Sequence, residues 1–194
     1  MTATGYEVLE RTERFSNKVF TFVSDEVRMP DGAVAARDYL RHVGAVAAVA
    51  VDSRGQVLLV HQYRHPVGAR LWELPAGLTD VAGEAPVDTA RRELAEETDL
   101  TAARWDLLVE LHPSPGCSSE LIRVYLAREI GEVAARHRHR REHEEADMVT
   151  AWVPLDEAVG RVLAGGITNA TAVAGILAAA RCRDAGWTGL RPAE

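Results

Sequence analysis

Two continuous apolar runs restrict the fold of this chain more than any other feature. Gly44 to Val51 reads GAVAAVAV and Gln56 to Gln62 reads QVLLVHQ, with Asp52-Ser53-Arg54-Gly55 between them. Short apolar runs joined by turn residues read as a buried hairpin. Around them the pattern alternates between strand and helix. Phe15 to Met29 reads as strand, and Met29-Pro30-Asp31-Gly32 is a turn signal, which suggests an N-terminal hairpin or small sheet ending near His42. Leu71 to Leu74, Trp105 to Leu111, Leu121 to Ala127 and Val149 to Val153 read as strands.

Helical spacing appears in three places. Pro86 to Asp99 puts Val87, Ala90 and Leu94 on one face, with proline tolerated in the first turn. Pro154 starts a helix through about Leu163, and Asn169 to Arg183 is an Ala-rich final helix. Residues 136–145 (RHRHRREHEE) carry dense charge and no apolar face, so they read as an exposed loop. The whole is mixed α/β, with strands dominating the first half and helices flanking them.

Composition narrows the function classes. With 194 residues, 47% apolar and 26% charged, the chain suits one compact soluble domain with a small appended element. No apolar run approaches the roughly 18 residues needed to span a bilayer. The first ten residues lack a basic start followed by an apolar core, so a secretory signal is not expected. A net charge of -7 argues against nucleic-acid binding by phosphate neutralisation. It does not exclude a small anionic substrate, because a bound cation reverses the local sign. Cys117 and Cys182 form no CxxC pair and read as free thiols of a reducing cytoplasm.

The stretch Leu74 to Leu100 carries the chemistry. On a helix, positions i and i+4 lie about 40° apart and i+3 about 60° to the other side. Glu93, Glu96 and Glu97 therefore point along one edge, beside the apolar stripe and facing a cleft. Crowded carboxylates repel, and a divalent cation relieves the repulsion; hard oxygen ligands select Mg²⁺ or Mn²⁺. Such a site fits pyrophosphate cleavage by an activated water, with a further carboxylate accepting the proton. Glutamates alone would describe a solvated helix face equally well, with Arg91 or Arg92 as ion-pair partners; the surrounding pattern decides.

That pattern resembles the Nudix box, G-x5-E-x7-R-E-U-x-E-E-x-G-U, where U is a bulky aliphatic. Gly77 opens it, Glu84 is the next fixed glutamate, and Arg92-Glu93-Leu94-Ala95-Glu96-Glu97-Thr98-Asp99-Leu100 closes it. Six residues rather than five separate Gly77 from Glu84, and Asp99 stands where the pattern has glycine. Asp tolerates a left-handed helix terminus better than most residues. The resemblance runs from about Val43 to Arg183. It implies a Nudix α/β/α sandwich around a mixed β-sheet over 43–194, and a metal-dependent hydrolase. The metal ligands it implies are Glu93, Glu97 and the carbonyl of Ala76, with Glu96 less firmly; Arg92 would orient the carboxylates.

Several residues resemble the ADP-ribose pyrophosphatases of that superfamily. Pro115 lies fifteen residues beyond Leu100, in the context Ser114-Pro115-Gly116-Cys117-Ser118-Ser119-Glu120. The resemblance implies that Glu120 contacts substrate or orients the catalytic loop, that Arg64 binds phosphate, and that Leu78 touches substrate through its backbone. A glutamate on a mobile loop acts as general base in that subfamily. Glu142 is preferred here, with Glu144 and Glu145 as alternates and Glu145 also as a metal ligand. His137, His139 and His143 have basic neighbours that disfavour a cation, Cys117 has no partner base, and the four tryptophans read as core or interface. Residues 1–42 match an N-terminal β-element that, in relatives, exchanges between two subunits, which implies a homodimer with Arg37 near the substrate at its interface. The implied reaction is Mg²⁺-dependent hydrolysis (Mn²⁺ substituting) of ADP-ribose to AMP and ribose 5-phosphate. Other nucleoside diphosphate derivatives, or a non-catalytic ligand sensor, are the alternatives.

Overall fold

The computed structural model describes residues 5–139 and 147–193. Contacts divide the chain into two units. The first holds the residues as far as Gly44 together with His112–Leu121. It contains an antiparallel sheet of β1 (Glu7–Ser16), β2 (Phe20–Arg28) and β3 (Val34–His42), in that order. The sequence expectation of one strand across Phe15 to Met29 is corrected. Asn17 Oδ1 accepts the backbone N–H groups of Val19 and Phe20 at 2.8 and 2.9 Å, which turns the chain between β1 and β2. β1 shows no apolar alternation because it is almost wholly exposed. Its Arg11 forms a two-pronged ion pair, both bonds 2.7 Å, with the buried Asp25 of β2. Arg11 and the Tyr39 hydroxyl hold the Asp25 carboxyl below its ordinary range against the opposing effect of burial.

The second unit holds Ala45–Leu111 and Ile122–Glu194. Its strands are β4 (Ala45–Ala50), β5 (Gln56–Arg64), β6 (Ala69–Glu73), β7 (Ala76–Leu78), β8 (Leu100–Leu111), β9 (Ile122–Glu132), β10 (Val149–Pro154) and β11 (Arg191–Pro192). Its helices are α1 (Pro86–Thr98), α2 (Leu155–Leu163) and α3 (Ala170–Asp184). β8 and β9 extend beyond the apolar cores that the sequence marks. Asn169 caps α3 by accepting the Ala172 N–H at 2.9 Å.

The two apolar runs do not form a hairpin. β4 lies between β9 and β7 in a five-stranded sheet ordered β11-β8-β9-β4-β7, while β5 is central to a second sheet ordered β10-β5-β6. Among the described residues their backbones pair only at the Val51–Val57 bridge. Each run is apolar on both faces, so each is the covered centre of its own sheet rather than one wall of a shared hairpin. The β4–β9 pair is parallel and the remaining pairs antiparallel, which makes the larger sheet mixed.

The two faces of β4 carry the layers. Val46, Ala48 and Ala50 pack with Val87, Ala90 and Leu94 of α1. Ala47 and Val49 pack with Ala158 of α2 and with Ala172, Ile176 and Ala179 of α3. Helices therefore cover both sides of the sheet, the expected α/β/α sandwich. Gly175 of α3 is where the far layer comes closest: a Cβ there would lie 2.7 Å from Leu74 Cδ1 and 2.9 Å from Val49 Cγ2. Among the described residues no helix is long and apolar enough to cross a membrane.

Gly175→Val is expected to destabilise the fold by about 1–3 kcal/mol through overpacking, although valine has the better helix propensity. Urea unfolding checks this; an unchanged midpoint would show that the α3 contact is loose.

Candidate active site

Three segments of the second unit build the acidic rim. β7 pairs with the start of β4, with Ala47 opposite Ala76 and Ala45 opposite Leu78. α1 packs on the same sheet through its apolar stripe. The loop between them returns Glu84 to the helix. Glu97, only 4% exposed, accepts the Ala76 backbone N–H through Oε2 at 3.0 Å. Glu93 lies so close to Gly77 that a Cβ on residue 77 would overlap its carboxyl group. The i and i+4 carboxylates thus both abut the Ala76–Gly77 backbone, and glycine is required there by close approach.

Arg92 organises the rest. Its Nε and Nη2 donate to the two Glu84 carboxylate oxygens at 3.1 and 2.9 Å. Its Nη1 donates to Glu93 Oε1 at 2.7 Å and to Glu96 Oε2 at 3.3 Å. Glu84 also accepts the Thr89 hydroxyl at 2.8 Å. Arg92 first, and Thr89 second, hold the Glu84 carboxyl below the ordinary glutamate range, and Glu84 first, then Glu93, raise the Arg92 guanidinium. The extra residue between Gly77 and Glu84 is taken up in the loop, where Gly83 has φ +82°. Asp99 ends α1 in the left-handed conformation, φ 58°, with its N–H on Ala95 O at 3.0 Å, so aspartate fulfils the backbone role of the pattern's glycine.

Among the described residues no group of three or more His, Cys, Asp or Glu side chains is gathered closely enough to hold a metal ion. The donor set nonetheless fits a hard divalent cation: Glu93 and Glu97 and the adjoining Ala76–Gly77 backbone offer oxygen ligands on one rim. Glu142, Glu144, Glu145 and His143 lie outside the described residues.

Arg64, at the end of β5, donates to Glu73 through Nε at 3.0 and 3.2 Å and through Nη2 at 2.7 Å. Glu73 is 2% exposed and also accepts from Gln62 Nε2 at 3.3 Å. Sequence reasoning missed Glu73; its one signal is an acidic residue closing a short strand among apolar neighbours. Leu78 is half-buried at the end of β7.

The other expected site residues belong to the first unit. Arg37 is exposed on β3 and donates to Ala36 O. The loop carrying Pro115 is tied to β3: Leu40 N–H donates to Cys117 O and Ser119 N–H to Leu40 O, both at 2.9 Å. The Glu120 carboxylate stands 3.8 Å from His42 Nε2.

An arginine clamping glutamates against a glycine-opened strand is what a Nudix site is made of, and the NUDIX domain model matches residues 41–172. The chain belongs to the Nudix family. It is 48% identical over 178 residues to the ADP-ribose pyrophosphatase of Mycobacterium tuberculosis, covering 92% of this chain and 84% of the relative. It is 34% identical to the ADP-ribose pyrophosphatase of Bacillus subtilis, covering 79% of this chain and 80% of that one. Its fold matches the crystal structure of an ADP compounds hydrolase with a TM-score of 0.79 at 18% identity, over 96% of this chain and 98% of the other. Nudix hydrolases generally use divalent metal ions.

Because the folded Glu84 carboxyl titrates lower than its unfolded counterpart, its contribution to stability is complete above about pH 4.3 and is lost as pH falls through the folded value. Glu84→Gln should therefore lower stability at pH 7, and the gap to the parent chain should close toward pH 3. Urea unfolding at both pH values reads it; a gap independent of pH would show that the clamp does not depend on charge.

Proposed function

We propose that this chain hydrolyses the pyrophosphate bond of ADP-ribose, giving AMP and ribose 5-phosphate, with Mg²⁺ as the working ion and Mn²⁺ able to substitute. The observation that carries this reading is the clamp of Glu84, Glu93 and Glu96 on Arg92, with Glu93 and Glu97 against the Ala76–Gly77 backbone. The substrate follows from the relatives named above and from the Ser114–Glu120 loop.

Glu93, Glu97 and Ala76 O would hold the cation, with Glu96 and Glu145 as further ligands. When bound, the cation would supply charge neutralisation at the phosphates and make a water easier to deprotonate. Glu142 accepts the proton of the attacking water as it adds to phosphorus and the P–O–P bridge breaks. Arg64 meets the phosphates with its orientation set by Glu73, since a guanidinium fixed on a buried carboxylate loses little freedom on binding an anion. Arg37, Leu78, Pro115 and Glu120 contact the remainder of the substrate. The N-terminal element, residues 1–42, contributes to a homodimer interface; Tyr6, Val8, Phe15 and Val34, all more than half exposed, support a partner on that sheet.

Product analysis tests the reading. Incubation with ADP-ribose and Mg²⁺ should release AMP and ribose 5-phosphate, and Glu93→Gln should abolish release while remaining folded. Absence of turnover by the parent chain would reject ADP-ribose and move the search to a panel of nucleoside diphosphate derivatives. Gly77→Ala should lower kcat on the order of a hundredfold by displacing the Glu93 carboxylate. Wild-type kcat in that variant would show that the close approach at residue 77 does not matter to catalysis.

A further inference from the structure

At the far end of β4 from the acidic rim, the second unit contains a cavity of about 690 Å³ whose lining includes Val51, Arg104, Arg128, Glu129, Trp152 and Trp187. The run of β4 from Ala47, opposite Ala76, to Val51 puts it roughly 13 Å along the strand direction from β7. Its size is that of a small-molecule site.

Three observations give it a chemistry. Arg104 of β8 and Arg128 of β9 are direct cross-strand partners, and like charges placed opposite each other are destabilising. They share a single carboxylate, Asp106, at 3.5 Å from Arg104 Nε and 2.8 Å from Arg128 Nη2. Among the described residues Asp106 is the ion-pair partner of both arginines, and Asp52, Glu129, Glu132 and Arg183 also line the cavity. Arg128 Nε is moreover buried and has no hydrogen-bond acceptor among the described residues, an arrangement that costs stability unless something fills it.

The backbone adds a second signal. Among the described residues three non-glycine positions have positive φ: Asp99, Glu129 and Trp187. Asp99 is the cap of α1. Glu129 and Trp187, at 58° and 59°, both line this cavity. A bulky aromatic in the left-handed region is a true outlier, and such outliers gather where ligands are clamped. Trp187 also carries the Arg128 guanidinium on its ring, 5.0 Å from the centroid. Aromatic surface and a buried guanidinium N–H without an acceptor among the described residues thus meet in one hollow.

We propose that this cavity is a second ligand site, which takes a small molecule bearing one anionic group on a planar ring. The anion seats between Arg104 and Arg128 and relieves their repulsion. The ring lies against the tryptophan wall. A nucleoside monophosphate and an aromatic carboxylate share this chemistry. The site needs no metal and no turnover, so it stands apart from the hydrolase reading.

Isothermal titration of the full chain in EDTA, with AMP and with benzoate as probes, tests it. At least one probe should bind with a sub-millimolar Kd; binding of both assigns the site to aromatic anions in general, and binding of AMP alone to phosphate monoesters. Arg104→Ser, an exposed change that spares the core, should weaken binding about tenfold, and Arg104→Glu should weaken it further. Glu97→Gln should leave the affinity unchanged. The proposal is overturned if neither probe binds, if Arg104→Ser keeps the affinity within twofold, or if Glu97→Gln abolishes binding.

Discussion

Arg92 is the residue on which the acidic rim depends. Three carboxylates accept hydrogen bonds from one guanidinium, Glu84 from Nε and Nη2, and Glu93 and Glu96 from Nη1. Two unit charges about 4 Å apart interact by about 1 kcal/mol in water and about 4 near a protein surface, so a glutamate trio without a cation would splay apart. The planar fork of arginine serves this role where lysine would not, because its donors diverge in fixed directions. The fork also joins elements distant in sequence. Through Glu84 it fastens the loop before α1, and through Glu93 and Glu96 it fixes the side chains of the helix itself.

The sheet supplies the other half of the constraint. β4 buries both faces, one against α1 and one against α2 and α3. A strand so covered has no freedom to slide, since a shift of one residue would exchange its faces. β7 inherits that register by pairing with β4, and the Ala76–Gly77 backbone is thereby set against Glu97 and Glu93. Position on the rim therefore traces back to alternating small apolar residues in the core. Small side chains in β4, and glycine at 175, let the layers approach closely enough for this to hold.

What the sequence disclosed follows from which interactions are local. The helix Pro86–Thr98, its acidic edge and its aspartate terminus were legible because helical spacing and capping are decided within a few residues. Spacing also led from Gly77 to Glu84 despite the additional loop residue. The partners of β4 and β5 were not legible. An apolar run says that both faces are covered without saying by what, and a short turn between two such runs suits a hairpin as well as a passage between sheets. β1 escaped notice because exposed strands carry no alternation. Glu73 escaped because a buried carboxylate is recognisable only once Arg64 and Gln62 are beside it, on the facing strand. Glutamates 142, 144 and 145 lie outside the described residues, so the catalytic base rests on the family resemblance.

The charges of the second unit are distributed toward opposite ends of β4. At its start Glu84, Glu93 and Glu96 gather on the guanidinium of Arg92, with Glu97 on the Ala76 N–H. At its end Arg104 and Arg128 converge on the carboxylate of Asp106, among further lining residues of both signs. Each group sets like charges side by side. Folding tolerates such crowding poorly in a buried setting, and a partly exposed rim tolerates it better because solvent screens it. Both groups are of that kind: Glu96 and Arg104 keep 34% and 54% of their side-chain surface. The acidic end suits a cation, and at the other end the buried Arg128 Nε has no acceptor among the described residues. A chain with net charge -7 has no general electrostatic reason to set two arginines face to face across a strand pair; a local demand for negative charge at that place supplies one.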